Sequence, residues 1–201
     1  MTICIFAGTF NPIHDGHLKM AEYALEKFDF EKIIFIPAYL PPHKEIDVKL
    51  AEHRYNMVKL AIQKNPRFEI SDIEYKSGGK YSSSVSAHTN EEEECKRGKS
   101  YSLITVKKII EQYCINGRLN FIIGTDAFAK IDTWYKAEEL KELVHFIVFP
   151  RRGDVIQDKE GWDYELTDMD YIDVSSTEIR NGLKSNTSVE GYIKENGLYK
   201  I

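Results

Sequence analysis

The hydrophobic and polar residues of the chain follow two alternating patterns. In short segments nearly every residue is apolar, with many branched and aromatic side chains, which is typical of strands that are buried on both faces. In longer segments the apolar residues recur every three or four positions, which is typical of helices with one buried face. Apolar runs predict strands over 3–7, 32–37, 119–123 and 144–149, and partial alternation predicts one more over 68–73.

Helical spacing fills the intervals between these strands. It predicts helices that begin near residues 15, 50, 102 and 176, and a last helix over 189–196. Serines stand where two of these helices begin, so we expect Ser100 or Ser102, and Ser175 or Ser176, as N-caps. Strand, helix and strand at this spacing form a right-handed crossover between parallel neighbours. We therefore expect one α/β domain over 1–201, Rossmann-like, with a five- to six-stranded, mainly parallel sheet flanked by helices.

Residues 76–100 interrupt the alternation with Gly-Gly, a serine run and four consecutive glutamates. This composition is typical of a surface excursion rather than of a core. Two interpretations stay open for it. It is either a tolerated solvated loop, or a lid or oligomer contact near the substrate, because long loops in compact domains are often functional.

Length, charge and cysteine content restrict the function classes. The chain of 201 residues is long enough for one well-filled core and short for two domains. Its net charge of −5 argues against a general nucleic-acid or anionic-membrane surface, so a phosphate site has to be local. No apolar run approaches the roughly 18 residues of a membrane span. Cys4, Cys95 and Cys114 lack C-x-x-C spacing, which favours a reduced, cytoplasmic protein.

The loop after the first predicted strand carries the candidate chemistry. Gly8 ends the apolar run, Asn11-Pro12 cannot continue a strand ladder, and a helix follows. The first amide groups of a helix have no internal acceptor and its N-terminal end is positive, so we expect a phosphate there. His14 and His17 stand three residues apart and can both donate hydrogen bonds to that phosphate.

Other interpretations of the two histidines are weaker. An isolated His-x-x-His pair often satisfies only backbone groups. A zinc site needs three or four ligands, and no cysteine or acidic partner stands at ligand spacing, so we expect no metal site made by the protein. The common phosphate loops, G-x-G-x-x-G and G-x-x-x-x-G-K-S/T, do not occur between Gly8 and His17.

Residues 8–18, GTFNPIHDGHL, resemble the G-x-F-x-P-x-H-x-G-H signature of the HxGH nucleotidyltransferase superfamily, and specifically the bacterial nicotinate-mononucleotide adenylyltransferases. Further segments resemble the same family, namely P-P-H-K at 41–44, R-x-x-M at 54–57, S-Y-S at 100–102, G-T-D at 124–126 and S-S-T-E-I-R at 175–180. The resemblance runs from residue 3 to residue 199. Only 76–97 lies outside it, and there we expect a flexible insertion.

The resemblance implies adenylyl transfer from ATP to nicotinate mononucleotide, giving deamido-NAD and pyrophosphate, with Mg²⁺ accompanying ATP. It implies that the catalytic residues are His14, His17, Lys44 and Arg180. The implied ATP contacts are Gly8, Thr9, Phe10, His14, His17, Gly124, Asp126, Ser175, Ser176, Thr177 and Arg180. The implied contacts of nicotinate mononucleotide are His43, Lys44, Ser102, Thr105, Trp134, Tyr135, Arg151 and Arg152.

Three of these residues keep two interpretations each. Trp134 stands in a polar segment, where it either stacks on the electron-poor pyridinium ring or anchors the following helix on the core. Arg151 and Arg152 are followed by Gly153, whereas the family has a proline after its arginine, so either arginine can be the match.

Arg54 is expected to be a structural ion-pair residue rather than a ligand.

Three alternatives to the implied function stay open. The chain could be a dual nicotinate and nicotinamide mononucleotide enzyme, another adenylyltransferase such as the pantetheine-phosphate enzyme, or a sensor that binds nucleotides without catalysis. The expected partners are ATP and nicotinate mononucleotide, without nucleic acid or membrane, and a homo-oligomer is a further option.

Overall fold

A computed structural model describes residues 2–41, 47–78, 100–151, 158–170, 173–185 and 187–200. In these ranges six strands form one sheet in the order β3-β2-β1-β4-β5-β6, and every neighbouring pair is parallel. The strands are β1 (Ile3–Gly8), β2 (Lys32–Pro37), β3 (Phe68–Ile70), β4 (Leu119–Gly124), β5 (Val144–Phe149) and β6 (Tyr164–Leu166). The predicted fold class is confirmed.

Helices lie on both faces of the sheet. They are α1 (Asp15–Lys27), α2 (Leu50–Ile62), α3 (Ile73–Gly78), α4 (Ser102–Gln112), α5 (Thr125–Phe128), α6 (Ala137–Leu143), α7 (Ser176–Arg180) and α8 (Glu190–Glu195), with one 3₁₀ turn at Ile131–Thr133. Successive residues of a strand point to opposite faces, so each strand supplies two cores. Cys4 and Phe6 of β1 pack under α1, α2 and α8, whereas Ile3 and Ile5 pack under α4 and α6.

The strand order reverses between β1 and β4, which both pair with their outer neighbours in parallel. At such a reversal the connections leave to opposite faces, and a crevice opens at the carboxyl ends of the two strands. The loop that follows β1, residues 9–14, lies at this crevice. The fold therefore places the predicted phosphate loop where open α/β sheets bind ligands.

The predicted strand over 68–73 is wrong in its second half. Ser71 makes the last ladder bond, from its amide to the carbonyl oxygen of Phe35 at 2.9 Å, and α3 begins at Ile73. The hydroxyl of Ser71 accepts a hydrogen bond from the amide of Ile73 at 3.3 Å, so the serine turns the chain from strand to helix. The sequence Ser71-x-x-Glu74 fits a capping box, a signal that the strand prediction overlooked.

The N-cap predictions have mixed outcomes. Tyr101, rather than Ser100 or Ser102, stands at the N-cap of α4, and its side chain makes no capping hydrogen bond. The N-cap of α7 is Ser175, whose hydroxyl accepts from the amide of Glu178 at 3.2 Å, so this prediction is confirmed. At the end of α8, Gly197 has a φ of +61°, which a glycine adopts without strain and which terminates the helix as predicted.

Other predictions concern membrane spans, cysteines, the insertion at 76–97, and the location and oligomeric state of the protein. Within the described ranges, no helix is long and apolar enough to cross a membrane. Cys4 is buried, Cys114 is exposed and both are free thiols, whereas Cys95 lies outside the described residues. The expected insertion at 76–97 falls outside them from residue 79 onward. Cytoplasmic location and oligomeric state stay predictions.

Candidate active site

A cleft of about 1110 Å³ opens at the carboxyl ends of β1, β4 and β5. Its walls come from the loop after β1, the start of α4, the turns that follow β4 and β5, and the start of α7. Most of the predicted site residues line it, namely Gly8, Thr9, Phe10, His14, His17, Ser102, Gly124, Asp126, Trp134, Tyr135, Arg151, Ser175, Ser176, Thr177 and Arg180. Residues from six separate segments are thus brought together.

The four other predicted residues fall into two groups. His43, Lys44 and Arg152 lie outside the described residues. Thr105 is described, but only 4% of it is exposed, and its hydroxyl donates a hydrogen bond to Glu74 Oε1 at 2.7 Å. The Thr105 side chain lies behind the first turn of α4 and holds Glu74, so its hydroxyl is no ligand in this arrangement, whereas a contact of the α4 backbone at this position with the substrate stays a prediction.

The two histidines stand at the start of α1. His14 is the N-cap residue in extended conformation, and His17 lies in the first turn, so their ring centroids are 3.7 Å apart. The amide of His14 donates to Nδ1 of His17 at 3.2 Å. Because Nδ1 of His17 is an acceptor, the proton of the neutral ring is on Nε2. His17 therefore has an N–H donor on its other ring nitrogen.

His14 is buried and neutral at neutral pH. Burial, and next the positive charge of Arg151, lower its pKa from 6.5 to about 4. Among the described residues its Nδ1 has no hydrogen-bond partner although it is buried. A buried polar atom of this kind requires a partner, and in a cleft that partner can be a ligand. Because its ring is neutral at neutral pH, His14 adds no positive charge to the cleft.

Gly16 allows the His14 ring to lie against the helix. A Cβ atom at Gly16 would be 3.0 Å from both Cε1 and Nδ1 of His14, and 3.1 Å from Val174. These distances are shorter than ordinary van der Waals contacts, so any larger residue would push the ring away. The glycine of the H-x-G-H sequence is therefore a packing requirement of the first histidine.

Arg54, on α2, holds the loops that follow β1 and β2. It is fully buried, and its guanidinium donates to the carbonyl oxygens of Thr9 at 2.8 Å, Ala38 at 2.5 Å and Tyr39 at 2.9 Å. Burial lowers the pKa of this side chain. The predicted structural role is confirmed, but among the described residues its hydrogen-bond partners are backbone carbonyl groups rather than the acidic side chain of the predicted ion pair.

Helix α7 is hydrogen-bonded to the loop that follows β1 through its first and last residues, Ser176 and Arg180. Ser176 Oγ donates to the carbonyl oxygen of Pro12 at 2.9 Å, and Arg180 Nη1 donates to that of Asn11 at 2.6 Å. The second Arg180 nitrogen, Nη2, donates to Thr177 Oγ1 at 3.0 Å. Residues predicted as phosphate ligands thus also hold the loop that carries the histidines.

The strand ends of β4 and β5 carry one acidic and one basic side chain. Asp126 Oδ1 lies 3.3 Å from Nε of Arg151, and both side chains are about half exposed. The amide of Arg151 donates to Thr125 Oγ1 at 3.0 Å. A Cβ atom at Gly124 would lie 2.8 Å from Asp126 Oδ1, so a larger residue at the strand end would require this carboxylate to move.

The opposite wall is aromatic. Tyr135 packs on Tyr101 at 5.0 Å between ring centroids, and Trp134 packs on Phe121 at 6.5 Å. Trp134 is half-buried, touches the core cluster under α4 and α6, and also lines the cleft. Ser102 and Leu103 line the cleft at the first turn of α4. This N-terminus has no side-chain cap, so its first amides can serve a ligand.

Sequence reasoning missed some residues of the cleft, among them Glu74, Lys130, Met169 and Asp170. Glu74 accepts hydrogen bonds from Thr105 and from the amide of Tyr39, the latter at 3.1 Å. Burial raises its pKa, against the opposing effect of hydrogen bonds from Ser100, Thr105 and Tyr39. The capping-box pattern at 71–74 was the one signal that could have revealed it.

The described residues hold no group of three or more His, Cys, Asp or Glu side chains that could bind a metal ion. Mg²⁺ commonly binds through one or two carboxylates together with substrate phosphates and water. The acidic side chains of the cleft wall, Asp126 among them, and the space for a polyphosphate fit an ion that enters with a nucleotide.

Comparisons with known proteins assign the family. The Cytidylyltransferase-like family model matches residues 5–182. A protein of Caldicellulosiruptor saccharolyticus, named "Probable nicotinate-nucleotide adenylyltransferase", is 38% identical over 217 aligned positions that cover 100% of both chains. A protein of the same name from Fusobacterium nucleatum is 34% identical, covering 97% of this chain and 94% of its own.

Solved structures show the same fold. The nicotinic acid mononucleotide adenylyltransferase of Plasmodium falciparum, complexed with NaAD, superposes with a TM-score of 0.62 at 20% identity, covering 96% of this chain and 88% of that chain. Its complex with APC gives 0.65 at 19% identity, covering 98% and 96%. With the full-length relatives, these findings place the chain in the family of nicotinate-nucleotide adenylyltransferases, within the cytidylyltransferase-like nucleotidyltransferases.

Proposed function

We propose that the chain transfers the adenylyl group of ATP to nicotinate mononucleotide, which yields deamido-NAD and pyrophosphate, a step of NAD biosynthesis. The observation that carries this proposal is the arrangement of His14 and His17 at the N-terminus of α1, inside a cleft whose opposite wall is aromatic. One side of the cleft suits a polyphosphate, and the other suits a flat ring. The names of the full-length relatives support this reaction rather than another adenylyl transfer.

ATP is assigned to the side of α1 and α7. Its α- and β-phosphates lie at the α1 N-terminus, where His14, His17 and the backbone of Gly8, Thr9 and Phe10 face the cleft. The hydroxyl groups of Ser175, Ser176 and Thr177, with the Arg180 guanidinium, serve the β- and γ-phosphates. Asp126 accepts from the ribose hydroxyl groups next to Gly124, as a carboxylate at a strand end does in dinucleotide folds.

Nicotinate mononucleotide is assigned to the side of α4. The first amides of α4, at Ser102 and Leu103, receive the nicotinate carboxylate, because this helix N-terminus has no side-chain cap. Trp134 and Tyr135 flank the pyridinium ring. The 5′-phosphate lies near Arg151, and His43, Lys44 and Arg152 are assigned to the same phosphate. Thr105 acts from behind the helix, through Glu74.

The reaction is an in-line displacement at the α-phosphorus. A 5′-phosphate oxygen of the acceptor forms a new bond to phosphorus, the bond to the bridging oxygen of the β-phosphate breaks, and pyrophosphate leaves with that electron pair. No covalent intermediate with the chain is required. Catalysis of this kind rests on positioning and on donors aimed at developing negative charge. His14 supplies its donor as a neutral imidazole, and Arg180 supplies positive charge to the leaving group.

Mg²⁺ is assigned to the substrate complex. When bound to the triphosphate it neutralises charge there. Asp126 is the side chain of this cleft wall that could contact it or its water ligands.

The reaction is tested by incubating the purified chain with ATP, Mg²⁺ and nicotinate mononucleotide and identifying the products by mass spectrometry. The proposal predicts deamido-NAD and pyrophosphate in equal amounts. ATP binding without pyrophosphate release would identify a sensor instead. Release of pyrophosphate and AMP without a dinucleotide would identify a hydrolase, and either result would overturn the proposal.

A further inference from the structure

Glu74 connects three parts of the chain that are distant in sequence. It lies on α3, the short helix that follows β3. Glu74 Oε1 accepts from the hydroxyl of Thr105 on α4 at 2.7 Å, and Oε2 accepts from the amide of Tyr39 at 3.1 Å. One carboxylate thus bonds both the turn that follows β2 and the first turn of α4.

A second pair of bonds reinforces this connection. The amide of Ser100 donates to the carbonyl oxygen of Leu40 at 2.8 Å, and the amide of Leu40 donates to Ser100 Oγ at 3.2 Å. The hydroxyl of Ser100 in turn donates to Glu74 and so lowers its pKa. The turn at 38–41 and the segment at 100–105 are therefore joined twice, directly through Leu40 and Ser100 and through the Glu74 carboxylate.

The neighbouring residue fixes α3 itself. Tyr75 packs edge-to-face on Tyr39 with 5.2 Å between ring centroids, and its hydroxyl donates to the carbonyl oxygen of Ala51 on α2 at 2.7 Å. Arg54 binds the carbonyl oxygen of the same Tyr39 at 2.9 Å. Glu74 is thus attached to a rigid base and has little freedom to follow a shift of α4.

We infer that Glu74 is a positioning residue for the acceptor substrate. It sets the distance between the turn at 38–41, where Ala38 and Pro41 line the cleft, and the α4 N-terminus that receives the nicotinate carboxylate. The inference rests on the proposed function, because the proposed function assigns nicotinate mononucleotide to these two segments. Glu74 itself forms no bond with the reacting atoms. Its carboxylate oxygens accept hydrogen bonds from Thr105, Tyr39 and Ser100.

Glu74→Ala removes the bonds to Thr105 and Tyr39 and leaves the direct Leu40–Ser100 bonds, so we expect the acceptor to be displaced by a fraction of an ångström rather than lost. We expect the KM for nicotinate mononucleotide to rise about 10- to 100-fold, with a KM for ATP within about twofold of that of the wild-type chain. A purely structural residue would lower the melting temperature and leave both KM values unchanged. An unchanged KM for nicotinate mononucleotide in the folded variant would overturn the inference.

Glu74→Gln tests the hydrogen bonds rather than the charge. The amide oxygen can accept from Tyr39, and the amide nitrogen can donate to Thr105 Oγ1, whose hydroxyl then donates to the carbonyl oxygen of Tyr101, 3.3 Å away. We expect this variant to keep a KM within about threefold of the wild-type value, since both connections survive. A loss as large as that of Glu74→Ala would show that charge, not position, is the cause.

Glu69 provides the matched control. It precedes Glu74 by five residues, is also half-buried, and accepts from Lys32 and from the hydroxyl of Tyr113 away from the cleft. Glu69→Ala therefore removes a bonded carboxylate without touching the acceptor wall. We expect it to lower stability and to leave both KM values unchanged.

Hydrogen exchange separates this inference from the proposed function, since it needs no substrate. In Glu74→Ala the amides of 38–40 and of 100–105 are expected to exchange faster together, whereas in Glu69→Ala they are not. If the wild-type chain fails to use nicotinate mononucleotide, the proposed function is wrong. In that case hydrogen exchange still shows whether Glu74 holds the two segments together. Unchanged exchange of both segments in Glu74→Ala would overturn this role.

Discussion

The two sides of the cleft are built in different ways. On the ATP side, the loop that carries the two histidines is one continuous stretch, residues 8–17, held by Arg54 of α2 and by Ser176 and Arg180 of α7. The acceptor side joins three segments, 38–41, 73–78 and 100–105, through the Glu74 carboxylate and the bonds between Leu40 and Ser100. A site made from contiguous residues carries its chemistry in a readable motif. A site made from distant segments depends on contacts that no local pattern encodes.

The largest expected effect comes from the residue that holds both sides. Arg54→Met leaves the carbonyl oxygens of Thr9, Ala38 and Tyr39 without their donor. Each unpaired buried group costs about 1 to 3 kcal/mol, so we expect a loss of roughly 4 kcal/mol in the free energy of unfolding. Urea unfolding measures it. Arg118→Met removes an arginine whose ion pair with Asp163 is exposed, and should cost less than about 1 kcal/mol; equal losses would refute the role of Arg54.

On the ATP side alone, the largest kinetic effect is expected for His17. His17→Ala removes one preorganised donor at the α1 N-terminus, which should lower turnover 10²- to 10³-fold, about 3 to 4 kcal/mol. Steady-state rates measure this loss, and circular dichroism checks the fold. His53→Ala is the control, because His53 bonds the hydroxyl of Tyr192 at 3.0 Å on the outer side of α2. Turnover near the wild-type value in His17→Ala would contradict the assignment.

The buried state of His14 gives the ATP side a pH dependence. Its pKa is about 4 in the folded chain and 6.5 in the unfolded chain, so the unfolded chain takes up the proton first as pH falls. The contribution to stability is complete above about pH 6.5 and is lost as pH falls towards 4, by roughly 3 kcal/mol. Unfolding measured across this range should show the slope in the wild-type chain. His14→Asn should lack that part of the slope, and an identical slope in both would contradict the burial argument.

On the acceptor side, Trp134 distinguishes ring stacking from core anchoring. Trp134→Leu keeps apolar contact with Phe121 but removes the indole face. If the indole stacks on the pyridinium ring, the KM for nicotinate mononucleotide should rise about tenfold at an unchanged KM for ATP, a loss of roughly 1.4 kcal/mol. If Trp134 only anchors the helix that follows, the melting temperature falls and both KM values stay constant.

The same contrast explains what could be predicted from the sequence. The strands and the histidine loop follow from local patterns, since β2 and β5 have the predicted limits and α1 begins at Asp15. The end of β3 also had a local signal, the capping-box pattern at 71–74. The place of the Thr105 side chain could not be predicted in this way, because it depends on the contact between α3 and α4, where Glu74 meets the first turn of α4.

Arg54 illustrates a second limit. Its structural role is readable, since a lone arginine on an apolar helix face requires partners inside the protein. Its partners are not readable, because the carbonyl groups of Thr9, Ala38 and Tyr39 are available to it only after β1 and β2 are paired. Side-chain identity predicts that a group is satisfied, whereas the tertiary fold decides by which atoms.

The most direct test of the central claim is the rate of pyrophosphate release by the wild-type chain with ATP, Mg²⁺ and one of three acceptors. The acceptors are nicotinate mononucleotide, nicotinamide mononucleotide and phosphopantetheine. An acceptor wall with helix amides for a carboxylate predicts a preference of on the order of several hundredfold for nicotinate mononucleotide, because an amide leaves these donors poorly matched. Equal rates with both mononucleotides would contradict the carboxylate-binding wall, and faster release with phosphopantetheine would contradict the assigned reaction.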